Sequence, residues 1–125
     1  MNFDSFERYE LVALAKALSF VKYESKGETA SFLAGSPIIS DLYQKICERI
    51  WEMSKGSRAT KNLLENGWPL VKKGDEIYEI VNYHLRKLDN WDSLDTELKA
   101  QTIKDYLGPY KAPDEVMAAL LNRAG

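Results

Sequence analysis

One histidine, His84, and one cysteine, Cys47, occur in 125 residues, so acid–base, nucleophilic or metal chemistry must be assembled from these two or from carboxylates. Helical spacing gives His84 poor partners. Ile80, Val81, Lys87 and Leu88 lie three and four residues away, which leaves neither a Glu-x-x-His nor a His-Glu-x-x-His ligand set. His84 therefore reads as a helix-flank histidine at the edge of a core. Cys47 follows Ile46 beside an apolar stripe, where a free thiol behaves as a small hydrophobe. A nucleophilic thiol needs a lowered pKa and a base, and no second residue can be assigned to it. A single Cys also forbids an internal disulfide and cannot begin a Cys-rich zinc site. No catalytic residue, metal ligand or cofactor is expected, and the chain reads as a non-enzyme; an enzyme would require a polar pocket around His84 or a convergent carboxylate pair.

Two weaker patterns point the same way. Asp89, Asp92, Asp95 and Glu97 followed by Lys99 resemble the carboxylate cluster of a metal nuclease, but that ending belongs on a strand and here falls in a helical pattern. The aspartates suit turns and caps. From Gly27 to Leu42 there is a helix-turn-helix flavour, yet the second helix would open with Pro37, Ile38, Ile39, Ser40 and Asp41, not with the basic and amide residues that read base edges.

Charge is more informative by position than in total. The chain has 17 Lys and Arg against 19 Asp and Glu, a formal net charge of -2 that gives no global attraction to a phosphate backbone. Along the chain it is polarised. Between Ser54 and Lys73 lie Lys55, Arg58, Lys61, Lys72 and Lys73 against Glu65 alone. Between Gly74 and Glu97 lie Asp75, Glu76, Glu79, Asp89, Asp92, Asp95 and Glu97 against Arg86 and Lys87. Such blocks are ordinarily solvated faces. The acidic block also carries Tyr83 and Trp91, and aromatic residues are the usual anchors of protein interfaces.

The expected site is thus a partner-binding surface of Asp75, Glu76, Glu79, Tyr83, Asp89, Trp91, Asp92 and Asp95, with Trp91 as its exposed anchor. Its expected partner is a basic protein, as for a small bacterial immunity or inhibitor protein that covers a basic toxin or nuclease. The alternative is a nucleic-acid adaptor using Lys55, Arg58, Lys61, Lys72 and Lys73, disfavoured by the overall charge. Oligomeric state is left open.

These residues need elements to position them. Hydrophobic residues are 45% of the chain and charged residues 29%, the mix of a folded globular domain. One helix is predicted from Phe6 to Glu24, with a stripe of Leu11, Leu14, Ala15, Leu18 and Val21 and an Asp4–Glu7 capping box. A weak helical turn follows at Thr29 to Ala34. Ser36-Pro37 is a strong start signal for a helix running to about Ser54, stopped by a left-handed Gly56. Further helices are expected over Ser57 to Gly67, after an Asp75 cap, from Leu94 to Leu107 before Gly108-Pro109, and after Pro113. Trp68 precedes proline and must be extended, allowing a strand stub there. The expectation is an all-α fold, residues 1–125 forming a single helical domain, a compact irregular bundle of five or six helices. Lacking a secretory n-region, an apolar h-region or a long apolar run, it is expected to be cytoplasmic and away from membranes.

Overall fold

The computed structural model describes residues 3–54 and 56–122. The protein is all-α. Among the described residues there are seven α-helices, more than the five or six expected: α1 Arg8–Tyr23, α2 Glu28–Ala34, α3 Pro37–Met53, α4 Arg58–Asn66, α5 Glu76–Arg86, α6 Thr96–Leu107 and α7 Asp114–Leu121. A single 3-10 turn, Trp91–Ser93, lies between α5 and α6. The expected strand stub is reduced to one parallel bridge, Leu70 to Lys111, in which Val71 N–H donates to the Lys111 carbonyl at 2.8 Å. No helix among the described residues is long and apolar enough to cross a membrane.

Local chemistry explains where the helices begin. The Ser36, Ser57, Asp75 and Asp95 side chains accept from the third-residue amides of α3, α4, α5 and α6. α1 starts later than its sequence pattern suggests. Phe3 is buried, Phe6 N–H closes a turn onto the Phe3 carbonyl, and the first helical acid pair is Glu7 with Glu10, whose Oε1 accepts from Glu7 N–H at 2.8 Å. Positive φ occurs at Gly67 and Gly74 and not at Gly56, and α3 ends at Met53 with Ser54 as its C-cap.

Two apolar clusters hold the elements together. The smaller one joins Phe3, Leu11 and Ile46, fastening α1 along α3. The larger one is centred on α5, which buries Tyr78, Ile80, Val81, Asn82, His84 and Leu85 and packs on α6 and α1. The inward face of α1 is rotated from the predicted stripe: Leu11, Ala15, Leu18 and Lys22 turn in, while Leu14 faces solvent.

Lys22 is the unexpected member of that face, with none of its surface exposed. Its ammonium group donates to the Ala34 carbonyl at 2.8 Å and the Ser40 hydroxyl at 2.7 Å, and approaches the Asp105 and Tyr106 carbonyls at 3.3 Å. Ser40 Oγ donates onward to the Asp105 carbonyl at 2.7 Å. Ala34 ends α2, and Asp105 and Tyr106 lie in the last turn of α6, so Lys22 sits where two helix C-termini present carbonyls without intrahelical partners and the negative ends of their dipoles. Burial lowers the Lys22 pKa to about 8, opposed by the charge of Asp105. The group is still mainly an ammonium at neutral pH.

Replacing Lys22 by Met keeps the stem and removes the donors, leaving buried carbonyls unsatisfied. The Lys22→Met variant should lose roughly 3 kcal/mol or more in urea unfolding at pH 7. A loss below about 1 kcal/mol would mean that these carbonyls find other donors.

Candidate functional site

The expected interface is only partly at the surface. Trp91, expected to be its exposed anchor, is 3% exposed and belongs to the core around α5 and α6, with Lys99 Nζ over its ring at 5.5 Å. Its large apolar surface outweighs the polarity of the turn around it. Asp75 is committed to structure, accepting from Tyr78 N–H at 2.9 Å and Lys72 N–H at 2.8 Å. Asp95 likewise caps α6 through Leu98 N–H at 2.8 Å. Glu76, Glu79, Asp89 and Asp92 remain exposed, and Tyr83 is half-buried.

Of these, Glu76, Glu79 and Tyr83 come together. They line a cleft of about 520 Å³ with Tyr23, Glu24 and Asn82. Asn82 is 3% exposed, and its Oδ1 has no hydrogen-bond partner. Lys26 and Arg86 also line it, with Gly74 and Ile80. Glu24 is contributed by the end of α1, so long-range packing turns one edge of the acidic sequence block into a concave acidic site. Asp89 and Asp92 are not part of its lining.

A second and larger cleft, about 770 Å³, lies on the other side of Tyr83 and contains His84, Ser31 and Tyr106. His84 is 1% exposed, not at the edge of the core. Its Nδ1 is 2.6 Å from Ser31 Oγ, its ring stacks on Tyr106 at 5.4 Å and 17°, and Tyr83 meets it edge-on at 5.5 Å. The other ring nitrogen, Nε2, has no partner. Gly35 admits this packing, because a Cβ there would fall 2.7 Å from the Tyr106 ring.

Burial, with the charges of Lys22 and Lys26 adding to it, lowers the His84 pKa to about 4. The imidazole is therefore neutral at pH 7. A serine hydroxyl against a neutral imidazole has the outline of a nucleophile and base, but a base this weak gives little driving force for proton removal. Burial pushes the Cys47 thiol up to about 11, away from the thiolate form that a nucleophile needs. No group of three or more His, Cys, Asp or Glu side chains among the described residues is placed to hold a metal ion.

The basic block falls on two elements. Arg58 and Lys61 are exposed on α4, Lys72 and Lys73 are exposed in the turn before α5, and Lys55 lies outside the described residues. Trp68 is engaged within the fold. Its ring packs against Trp51 at 4.7 Å, Tyr110 at 5.2 Å and Tyr43 at 6.0 Å, and its indole N–H donates to Glu48 at 3.3 Å.

Sequence reasoning missed Ser31, Asn82 and Lys22. Only Lys22 left a signal, because it continues the spacing of Leu11, Ala15 and Leu18 at a position where a core residue belongs. Fold and clefts together define an all-α protein whose helix α5 lines both an acidic cleft and a histidine-containing one. No family model, curated protein or solved structure matches the chain.

Two outcomes test this layout. Below pH 6.5 the unfolded chain protonates its histidine while the folded His84 resists, so stability should fall with decreasing pH by about 2 kcal/mol between pH 6.5 and 5. The His84→Gln variant should flatten that segment of a urea-midpoint profile; an unchanged slope would place its origin elsewhere. Trp91→Ala should lower stability by about 3–5 kcal/mol, as for a core aromatic, which thermal unfolding will report.

Proposed function

We propose that the protein is a non-catalytic protein-binding domain of the cytoplasm, an irregular helical bundle that captures a basic side chain of a partner in the acidic cleft beside Tyr83. The observation that carries this reading is the Asn82 Oδ1, a buried carbonyl oxygen without a partner on a cleft rimmed by Glu24, Glu76 and Glu79. An unsatisfied acceptor of this kind is costly unless something donates to it. Against Lys26 and Arg86 in the same lining, three carboxylates and a carbonyl offer acceptors only, and a guanidinium or ammonium group offers donors only. Tyr23 and Tyr83 supply aromatic faces that a cation favours. Lys26 already lies over the Tyr83 ring at 4.9 Å, so that ring accepts a cation within this chain.

The exposed Asp89 and Asp92 lie outside the cleft and serve to steer a positively charged partner toward it. A small bacterial immunity or inhibitor protein covering a basic toxin or nuclease is the concrete form of this reading. Its bound partner would insert one arginine or lysine between Tyr83 and the glutamates.

An octa-arginine peptide is a suitable probe by titration calorimetry. The double variant Glu76→Gln, Glu79→Gln should bind it about tenfold more weakly than the parent, a difference of about 1.4 kcal/mol. Asp89→Asn with Asp92→Asn should mainly slow association at low salt. Equal affinities for the glutamine variant and the parent, with both folded by circular dichroism, would remove the acidic cleft as the binding site.

A further inference from the structure

The larger cleft has a chemistry that cation capture does not use. Lys26 and Lys87 bring their ammonium groups over the same ring, Tyr83, at 4.9 and 5.5 Å. Among the described residues neither belongs to an ion pair. Two cations thus meet one ring, neither of them held in an ion pair, in a lining that also contains Glu28 and Asp105. Elsewhere in the lining are the Ser31 hydroxyl and the stacked His84–Tyr106 pair, with His84 Nε2 buried and unpartnered. At the rim Phe32 is 78% exposed, an aromatic ring that the fold leaves uncovered.

We infer that this cleft is a second binding site, for a small organic acid with a flat apolar body. Its carboxylate would lie between Lys26 and Lys87, and its body against Phe32 and the His84–Tyr106 stack. Charge complementarity decides the sign of the ligand. A carboxylate accepts hydrogen bonds and cannot donate them, matching two ammonium groups. The acids in the lining are Glu28 and Asp105, and the Asp105 carboxylate already accepts from Gln101 Nε2 at 3.0 Å. An ammonium ligand would face the two unpaired cations with Glu28 and Asp105 in the lining to attract it. The volume is that of an ordinary small-molecule pocket, with apolar walls and few polar groups to set orientation. This inference does not rest on the proposed capture of a basic partner, because Glu76 and Glu79 do not line the larger cleft.

Phenylacetate, phenylethanol and phenylethylamine separate charge from shape. Phenylacetate should bind about tenfold more tightly than the alcohol or the amine by calorimetry. It should also shift the ring signals of His84 and Tyr106 in proton–carbon spectra. The double variant Lys26→Met, Lys87→Met should erase the advantage of the acid over the alcohol, and Phe32→Ser should weaken both by several-fold. All three positions are exposed, so folding is retained. Equal binding of the amine, an acid preference that survives loss of both lysines, or unmoved His84 signals would each overturn the inference. The Glu76→Gln, Glu79→Gln protein should still bind phenylacetate, so failure of either site is read separately.

Discussion

A cation without a carboxylate stands at the junction of four helices. Lys22 rises from α1 and meets the last carbonyl of α2, the Ser40 hydroxyl of α3 and two carbonyls from the last turn of α6. Burying an ammonium group is expensive, and carbonyls at a helix end are left without partners by the helix itself. Each problem is the answer to the other. Tyr23, the next residue, extends the arrangement by donating to the Leu107 and Gly108 carbonyls at 2.9 and 2.8 Å. The end of α1 is thereby tied to the end of α6 by side chains donating to backbone acceptors, a geometry that tolerates little displacement.

Both clefts inherit their shape from this junction. Fixing α2 against α6 brings Ser31 to His84 and sets Gly35 flat against the Tyr106 ring. Fixing the end of α1 places Glu24 and Lys26 beside α5, where they meet Glu76, Glu79 and Tyr83. The positive charge of Lys22 also helps to keep His84 neutral. The junction and the larger cleft are therefore coupled through electrostatics as well as packing. Tyr83 and Lys26 line both clefts, so whatever occupies one side acts on the wall of the other.

The residues that misled the sequence reading share a cause. Trp91 stands between Asn90 and Asp92, and polar neighbours in sequence suggested exposure, but a short 3-10 turn buries one side chain while leaving the next two outside. Asp75 and Asp95 are legible as cap residues and still count as interface charge in the sequence reading, although each commits its carboxylate to a helix start. His84 has no useful partner along its own helix, and its partner Ser31 comes from a helix 53 residues earlier. Asn82 offered nothing to notice, because a lone asparagine on a helix has no spacing to read. The spacing at Lys22 was visible, but a lysine at a core position is discounted until its acceptors are known.

By itself, the sequence determined the all-α class, the starts of α3 and α5 at Ser36 and Asp75, and the extended backbone at Trp68. Those properties depend on local hydrogen bonding, apolar periodicity and proline geometry, which act within a few residues. Tertiary structure alone decided which faces turned inward, that Lys22 would be solvated by helix ends, and that Glu24 would join Glu76 and Glu79 around Asn82. Burial and the fields between distant groups depend on contacts far apart in the chain, and no local pattern encodes them.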